Sequence, residues 1–164
     1  MKRLALSLLI VTSLGCSTRG LLAALPLSWH PIGDECPGPL APVERIEEGR
    51  VWQAQYRLHT EDGEAALTLA GERRGSIFVL VGLDPLGSQA FVIVQRGDEV
   101  SVDEHVPPLF PWPPENVLRD LHLAAFLEPH EFGDALIRKN RTRSIIEHPD
   151  CGTGAVVSLL PTGS

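Results

Sequence analysis

Three cysteines and six histidines are the side chains with the widest chemical range in this 164-residue sequence. Their spacing decides which chemistry to expect. His30, His59, His105, His122, His130 and His148 are scattered, without the short repeats that bring two ligands to one metal, so no metal centre is expected. The sequence has no Gly-x-Ser-x-Gly elbow, His-Glu-x-x-His helix, Cys-x-x-Cys pair or phosphate-cradling glycine loop. Asp103-Glu104-His105 has the residue types of an acid–base cluster, but three consecutive residues after a short strand read as a solvated turn. The expectation is a protein without catalytic residues, in which the cysteines Cys16, Cys36 and Cys151 carry the chemistry.

Cys16 stands in a position with a physical meaning. Lys2 and Arg3 precede an apolar stretch over residues 4–14, broken by Ser7, Thr12 and Ser13. At about a dozen residues, against the roughly 20 needed to span a bilayer, this is the core of an export signal rather than a permanent anchor. Gly15-Cys16 follows, and the junction resembles the lipobox of bacterial lipoproteins, departing from it at Ser13, where leucine is usual. The lipobox implies that residues 1–15 are a cleaved signal peptide. It also implies that the Cys16 thiol becomes a covalent acyl and diacylglycerol (palmitate-type) anchor. At about 0.8 kcal/mol per buried methylene, several chains on one residue hold a protein to a membrane without a helix. Ser17, where a retention signal would place Asp, implies delivery to the periplasmic face of the outer membrane. For Cys36 and Cys151 two readings stand: a disulfide formed in an oxidising compartment, or two separate thiols.

Those cysteines must be positioned by a chain the size of one domain, 43% hydrophobic and with formal charge −7. No basic stripe appears, so nucleic acid is not an expected partner. The one dense basic cluster, over residues 138–143, reads as a solvated loop. Residues 16–48 form a lead-in or tether broken by Pro26, Pro31, Pro37, Pro39 and Pro42, and residues 49–164 the domain proper.

From Val51 onward Trp52, Ala54, Tyr56 and Leu58 alternate with polar residues, which predicts a strand with one buried face. Asp62-Gly63 predicts a hairpin, with a second strand over 65–70 and a turn over 71–75. A third strand over 76–83, a turn over 84–87, a fourth strand over 89–95 and a fifth over 99–103 complete an antiparallel meander. A proline-rich stretch over 107–114 then leads into a predicted helix over 115–127 with one broad apolar face. A short second helix over 131–137 and closing strands over 144–147 and 155–160 follow. The third and fourth strands are apolar on both faces. One exposed face would cost several kcal/mol at about 25 cal/mol per Å2, so it must be covered. A sheet curled around a plugging helix would do this, as would a flat sheet covered on both sides, or a dimer.

The run Val81-Gly82-Leu83-Asp84-Pro85-Leu86-Gly87-Ser88-Gln89-Ala90-Phe91, the proline-rich 109–114 and the stretch Glu115-Asn116-Val117-Leu118-Arg119-Asp120-Leu121 together resemble a family of bacterial lipoproteins, DUF3261. Its members are often encoded near aryl-polyene-type lipid biosynthesis and export genes. The family is itself distantly similar to LolB, the outer-membrane lipoprotein receptor, whose strand turn has a similar Pro-Leu-Gly. The resemblance implies an α+β fold in which an antiparallel sheet is curled into an incomplete, half-open β-barrel of the LolA/LolB kind, covered by one or two helices. It implies an apolar cavity for acyl chains, with Leu80, Leu83, Phe91, Ile93, Trp112, Leu118, Leu121 and Phe126 as lining. LolB projects an apolar side chain from a strand-connecting loop; the comparable turn here is expected at 71–75, where Arg73 and Arg74 stand instead. The expected function is a non-enzymatic, outer-membrane-anchored binder or carrier of lipid or acyl-type molecules. The rival is a structural lipoprotein that docks a transport-protein partner and has no cavity.

Overall fold

The computed structural model describes residues 30–31, 38–60, 63–104, 113–151 and 153–161. Cys16, Cys36 and Trp112, and with them the expected signal peptide and lipobox, lie outside the described residues. The strands, all antiparallel to their neighbours, are β1 (His30–Pro31), β2 (Val51–Thr60), β3 (Gly63–Arg74), β4 (Ile77–Leu83), β5 (Gln89–Arg96), β6 (Glu99–Glu104), β7 (Leu136–Lys139), β8 (Arg143–His148) and β9 (Thr153–Leu159). They form one sheet in the order β1-β6-β5-β4-β3-β2-β9-β8-β7, with one helix, α1 (Pro114–Ala125), between β6 and β7. The fold is α+β.

The sheet is curled but not closed, and the helix shows why. Within the described residues α1 touches β5 and β6 on one side and β8 and β9 on the other. β6 and β8 stand six positions apart in the strand order. At about 4.8 Å per strand a flat sheet would separate them by roughly 29 Å. A helix of 12 residues is only about 18 Å long, so the sheet must bend around it. The concave face and α1 share one core that includes Tyr56, Leu69, Phe78, Leu80, Ile93 and Val157.

Alternation along β2 places Trp52, Ala54, Tyr56 and Leu58 on the core side, as the sequence predicts. The meander β2–β6 follows the expected strands closely, with one correction. The turn expected at 71–75 is mostly strand: β3 runs to Arg74, and the chain reverses at Gly75-Ser76, with Gly75 at φ 61°. Gly71 is not a turn residue. A Cβ there would lie 2.5 Å from the Phe78 ring, so the glycine makes room for a ring laid over the strand. Arg73 is drawn back onto the domain, where Nη1 donates to the carbonyls of Glu44 and Ile46 and Nε to that of Gly75.

A second correction concerns residues 131–137, expected as a helix. A 3-10 turn spans Pro129–Glu131, closed by reciprocal Glu128 and Glu131 capping, and Gly133 at φ 60° ends it. Leu136–Lys139 then pairs with β8 as an edge strand. The basic stretch 138–143 forms the hairpin between them, turned by Asn140, whose Oδ1 accepts from the Thr142 and Arg143 amides.

The helix is found as expected, with Pro114 at its first turn. It is buried nearly all round rather than along one face: Arg119, Asp120 and His122 are as enclosed as Leu118 and Leu121. The stretch expected as tether also enters the core before residue 49, since Ala41, Val43 and Ile46 have no exposed surface. No helix among the described residues is long and apolar enough to cross a membrane.

Candidate functional site

Most of the described residues expected to line a cavity are closed into the core. Leu80, Ile93 and Leu118 have no accessible surface, Leu121 has 1% and Phe91 2%. They pack against their neighbours in the core, leaving no water-sized space beside the first three. Leu83 occupies a half-buried alternate position of β4. Phe126 lines a pocket.

That pocket is a groove of about 490 Å3, lined by Arg45, Glu47, Arg50, Trp52, Ala125, Phe126, Glu128, His130 and Glu131. Four local structures build it: the 3-10 turn Val43–Arg45 and the residues after it, the start of β2, the end of α1 and the turn Pro129–Glu131. The floor is aromatic. Trp52 and Phe126 meet edge to face with ring centroids 5.0 Å apart, and Phe126 is similarly set against Phe78 and His122. Trp52 Nε1 is enclosed without a hydrogen-bond partner.

The rim is charged and internally matched. Arg45 Nη1 lies 2.7 Å from Glu131 Oε2, and Arg50 Nη1 lies 3.0 Å from Glu47 Oε2. The Arg50 guanidinium also stands 4.3 Å above the Trp52 ring, a cation–π contact. The Arg45 hydrogen bond, with help from the Glu128 amide, holds the Glu131 carboxyl down at about 2. A groove with an aromatic floor and paired charges above it can hold an amphipathic molecule, its apolar part on the rings and its polar part among the charges.

Beneath the groove lies a second, closed polar group. Asp120 of α1 accepts a 2.6 Å hydrogen bond from the Tyr56 hydroxyl through Oδ2, and Oδ1 lies 2.6 Å from His148 Nε2. Burial and the neighbouring Asp120 charge push the Tyr56 hydroxyl well up, so it stays protonated and donates. In the same helix His122 Nδ1 accepts from the Ala41 amide, and burial lowers its pKa to about 3. With Tyr56 and Asp120 in the dry core, these groups join helix to sheet and lead-in. Among the described residues no group of three His, Cys, Asp or Glu is placed to hold a metal.

A third feature stands on the surface. Leu86 is 92% exposed at the β4–β5 turn. Hydrogen bonds close the turn backbone: Asp84 Oδ1 accepts from the amides of Leu86 and Ser88, and the Asp84 carbonyl from Gly87. An exposed apolar side chain therefore stands on the β4–β5 turn. Cys151, in the turn Pro149–Cys151, is disulfide-bonded, and its expected partner Cys36 lies outside the described residues.

Sequence reasoning missed the groove because its charges come from segments far apart in the chain. Two signals were nonetheless readable. Arg50 and Trp52, two residues apart, share a strand face, and Glu128-x-x-Glu131 after a helix end is a capping pattern.

No curated protein matches the chain. The sequence pattern of a family described as proteins of unknown function, DUF3261, matches residues 51–136, from the first long strand through the helix to the start of β7. The chain belongs to the DUF3261 family.

Proposed function

We propose that this protein is a non-enzymatic binder or carrier of lipid or acyl-type molecules, held by acylated Cys16 at the periplasmic face of the outer membrane. The observation that carries the reading is Leu86. Of the large apolar side chains described it is the most exposed, and the turn that carries it is closed by backbone hydrogen bonds to Asp84. Moving one leucine from water into hydrocarbon gains about 1.5–3 kcal/mol. That is too little to bind a membrane from solution but enough for a protein already tethered there, since the anchor raises the local concentration of lipid. A lipidated protein with one projecting leucine and an aromatic groove has the parts needed to take up an acyl chain and return it. The likeness to LolB, which projects an apolar side chain from a strand-connecting loop, supports the same reading.

The test is extraction of the protein lacking its anchor, residues 17–164, with lipids identified by mass spectrometry, followed by transfer of a labelled lipid into vesicles that carry the intact, lipidated protein. Stoichiometric acyl species are expected. Leu86→Glu should leave the bound lipid in place and slow its transfer about tenfold or more, the equivalent of the lost insertion energy. A clean extract that also fails to take up added fatty acid and phospholipid overturns the reading. The exposed leucine would then belong to a docking surface for a transport partner.

A further inference from the structure

The groove over Trp52 and Phe126 has a charge pattern that selects among amphipathic molecules. Its lining holds two arginines against three glutamates, so with His130 neutral the formal charge is −1. Both arginines already face a carboxylate, Arg45 that of Glu131 at 2.7 Å and Arg50 that of Glu47 at 3.0 Å. A purely anionic head entering here would meet no free cation among these pairs and would add charge to a net negative rim. A purely cationic head would strand the arginines. A head with one charge of each sign can exchange into the pairs: its phosphate replaces Glu47 on the Arg50 guanidinium, and its ammonium takes up Glu47. The exchange is cheap because the Arg50–Glu47 pair is exposed, with side chains 42% and 65% accessible. Such exposed pairs contribute little, and a phosphate accepts two guanidinium hydrogen bonds at once. The Trp52 face already accommodates one cation, the Arg50 guanidinium at 4.3 Å, and so offers an ammonium a second contact when Arg50 turns to the phosphate.

We propose that this groove binds the zwitterionic phosphate–ammonium head of a diacyl lipid, with its chains leaving over Phe126 and Ala125. This rests on the lipid-binding reading above and deepens it. Arg50 and Glu47 carry the head and Trp52 is its floor. Discrimination against anionic lipids comes from the excess carboxylates on the rim, a repulsive element rather than a better fit.

The experiment uses the full chain with Cys16→Ser, so that the protein's own lipid anchor does not compete. The indole N–H resonance of Trp52, assigned through Trp52→Phe, is followed by NMR. The titrants are short-chain diacyl phosphoethanolamine, phosphocholine and phosphoglycerol below their micelle concentrations, and free phosphoethanolamine. The two zwitterionic lipids should shift Trp52 and saturate at concentrations at least about tenfold lower than phosphoglycerol. Glu47→Lys combined with Glu128→Lys should reverse that order while leaving the fold, read from the remaining amide spectrum, unchanged. Free phosphoethanolamine should bind more weakly than the lipid; equal binding would make this a site for small soluble zwitterions and overturn the lipid assignment. Equal binding of all three lipids at Trp52 would overturn head selection while leaving acyl binding intact. Lipids that bind without moving Trp52 would overturn the location. No binding by any lipid would overturn both this inference and the function it rests on.

Discussion

Asp120 is 1% exposed and lies 2.6 Å from Tyr56 Oη and from His148 Nε2, one contact for each carboxylate oxygen. A buried carboxylate is tolerable only when its lone pairs are filled. A carboxylate only accepts, so His148 donates from Nε2 and the Tyr56 hydroxyl from its oxygen. The three residues come from α1, β2 and β8, which makes Asp120 the polar joint between the helix and two strands of the curled sheet. Tyr56→Phe should cost about 1–3 kcal/mol in urea unfolding, because it leaves one oxygen of a buried charge unpaired. Tyr56→Phe combined with Asp120→Asn should cost clearly less than the sum of the two single changes; strict additivity would show that the contacts do not form a network. His122 gives a pH effect with a definite sign. Folded, burial lowers its pKa to about 3, whereas an unfolded histidine titrates near 6.5. Between those values the unfolded chain binds a proton the folded chain does not, so stability falls as the pH falls through this window. Acidification from pH 7 to pH 4.5 should therefore remove about 2.5 kcal/mol through His122 alone. Denaturation midpoints at the two pH values, compared between the natural chain and His122→Gln, measure this. The acid-induced drop should shrink by that amount in the variant, and an unchanged drop would remove His122 from the account.

At the scale of elements, two glycines set how tightly the strands lie under their aromatic neighbours. A Cβ on Gly82 would come 2.4 Å from the Phe91 ring, and one on Gly71 2.5 Å from that of Phe78. Both rings are buried and cannot swing clear. Gly82→Ala should cost about 1–3 kcal/mol through overpacking. Phe91→Leu in the same chain should relieve part of that cost, so the alanine becomes cheaper in the Phe91→Leu background. Thermal or urea midpoints of the four proteins decide it, and an alanine equally costly in both backgrounds would mean that backbone, not ring contact, sets the requirement. The same glycines mark where sequence reading succeeded and failed. Alternation exposed β2, because a half-buried strand writes its period directly into residue type, whereas β4 and β5 were legible as apolar runs between turns. Gly71 read as a turn because its reason for being glycine, a ring from the next strand, is a tertiary contact. Leu136 and Ile137 read as the end of a helix because a strand of four residues at a sheet edge carries too little period to tell the two apart. The helix itself was legible in outline, but not the burial of Asp120 and His122, whose partners lie 28 to 81 residues away. The groove was least legible of all, since the fold brings Arg45 to Glu131 from 86 residues away and sets both beside the local Glu47–Arg50 pair.

For the whole molecule, the order β1-β6-β5-β4-β3-β2-β9-β8-β7 means that the last three strands attach beside β2, on the far side from the meander. Among the described residues α1 and the lead-in link the two ends of the open sheet, so a covalent tie between lead-in and C-terminal strands would act where the sheet is open. Cys151 sits between β8 and β9 and is disulfide-bonded. Acylation of Cys16 would leave Cys36 as its partner. That bridge would close a loop of more than a hundred residues, which in the chain-entropy model is worth up to about 4.7 kcal/mol. Denatured lipidated protein should then take up no thiol label before reduction and two after it. Cys36→Ser and Cys151→Ser should each lower stability by about 2–5 kcal/mol. The double variant should cost no more than either single one, because both changes remove the same bond. Two labels gained without reductant would sink the bridge. A Cys36→Ser protein whose Cys151 remained bonded would instead place Cys16 in the disulfide and leave no thiol for the anchor. One labelling experiment therefore bears on the tether and the fold together: the cysteine that closes the sheet cannot also be the one that holds the protein to the membrane.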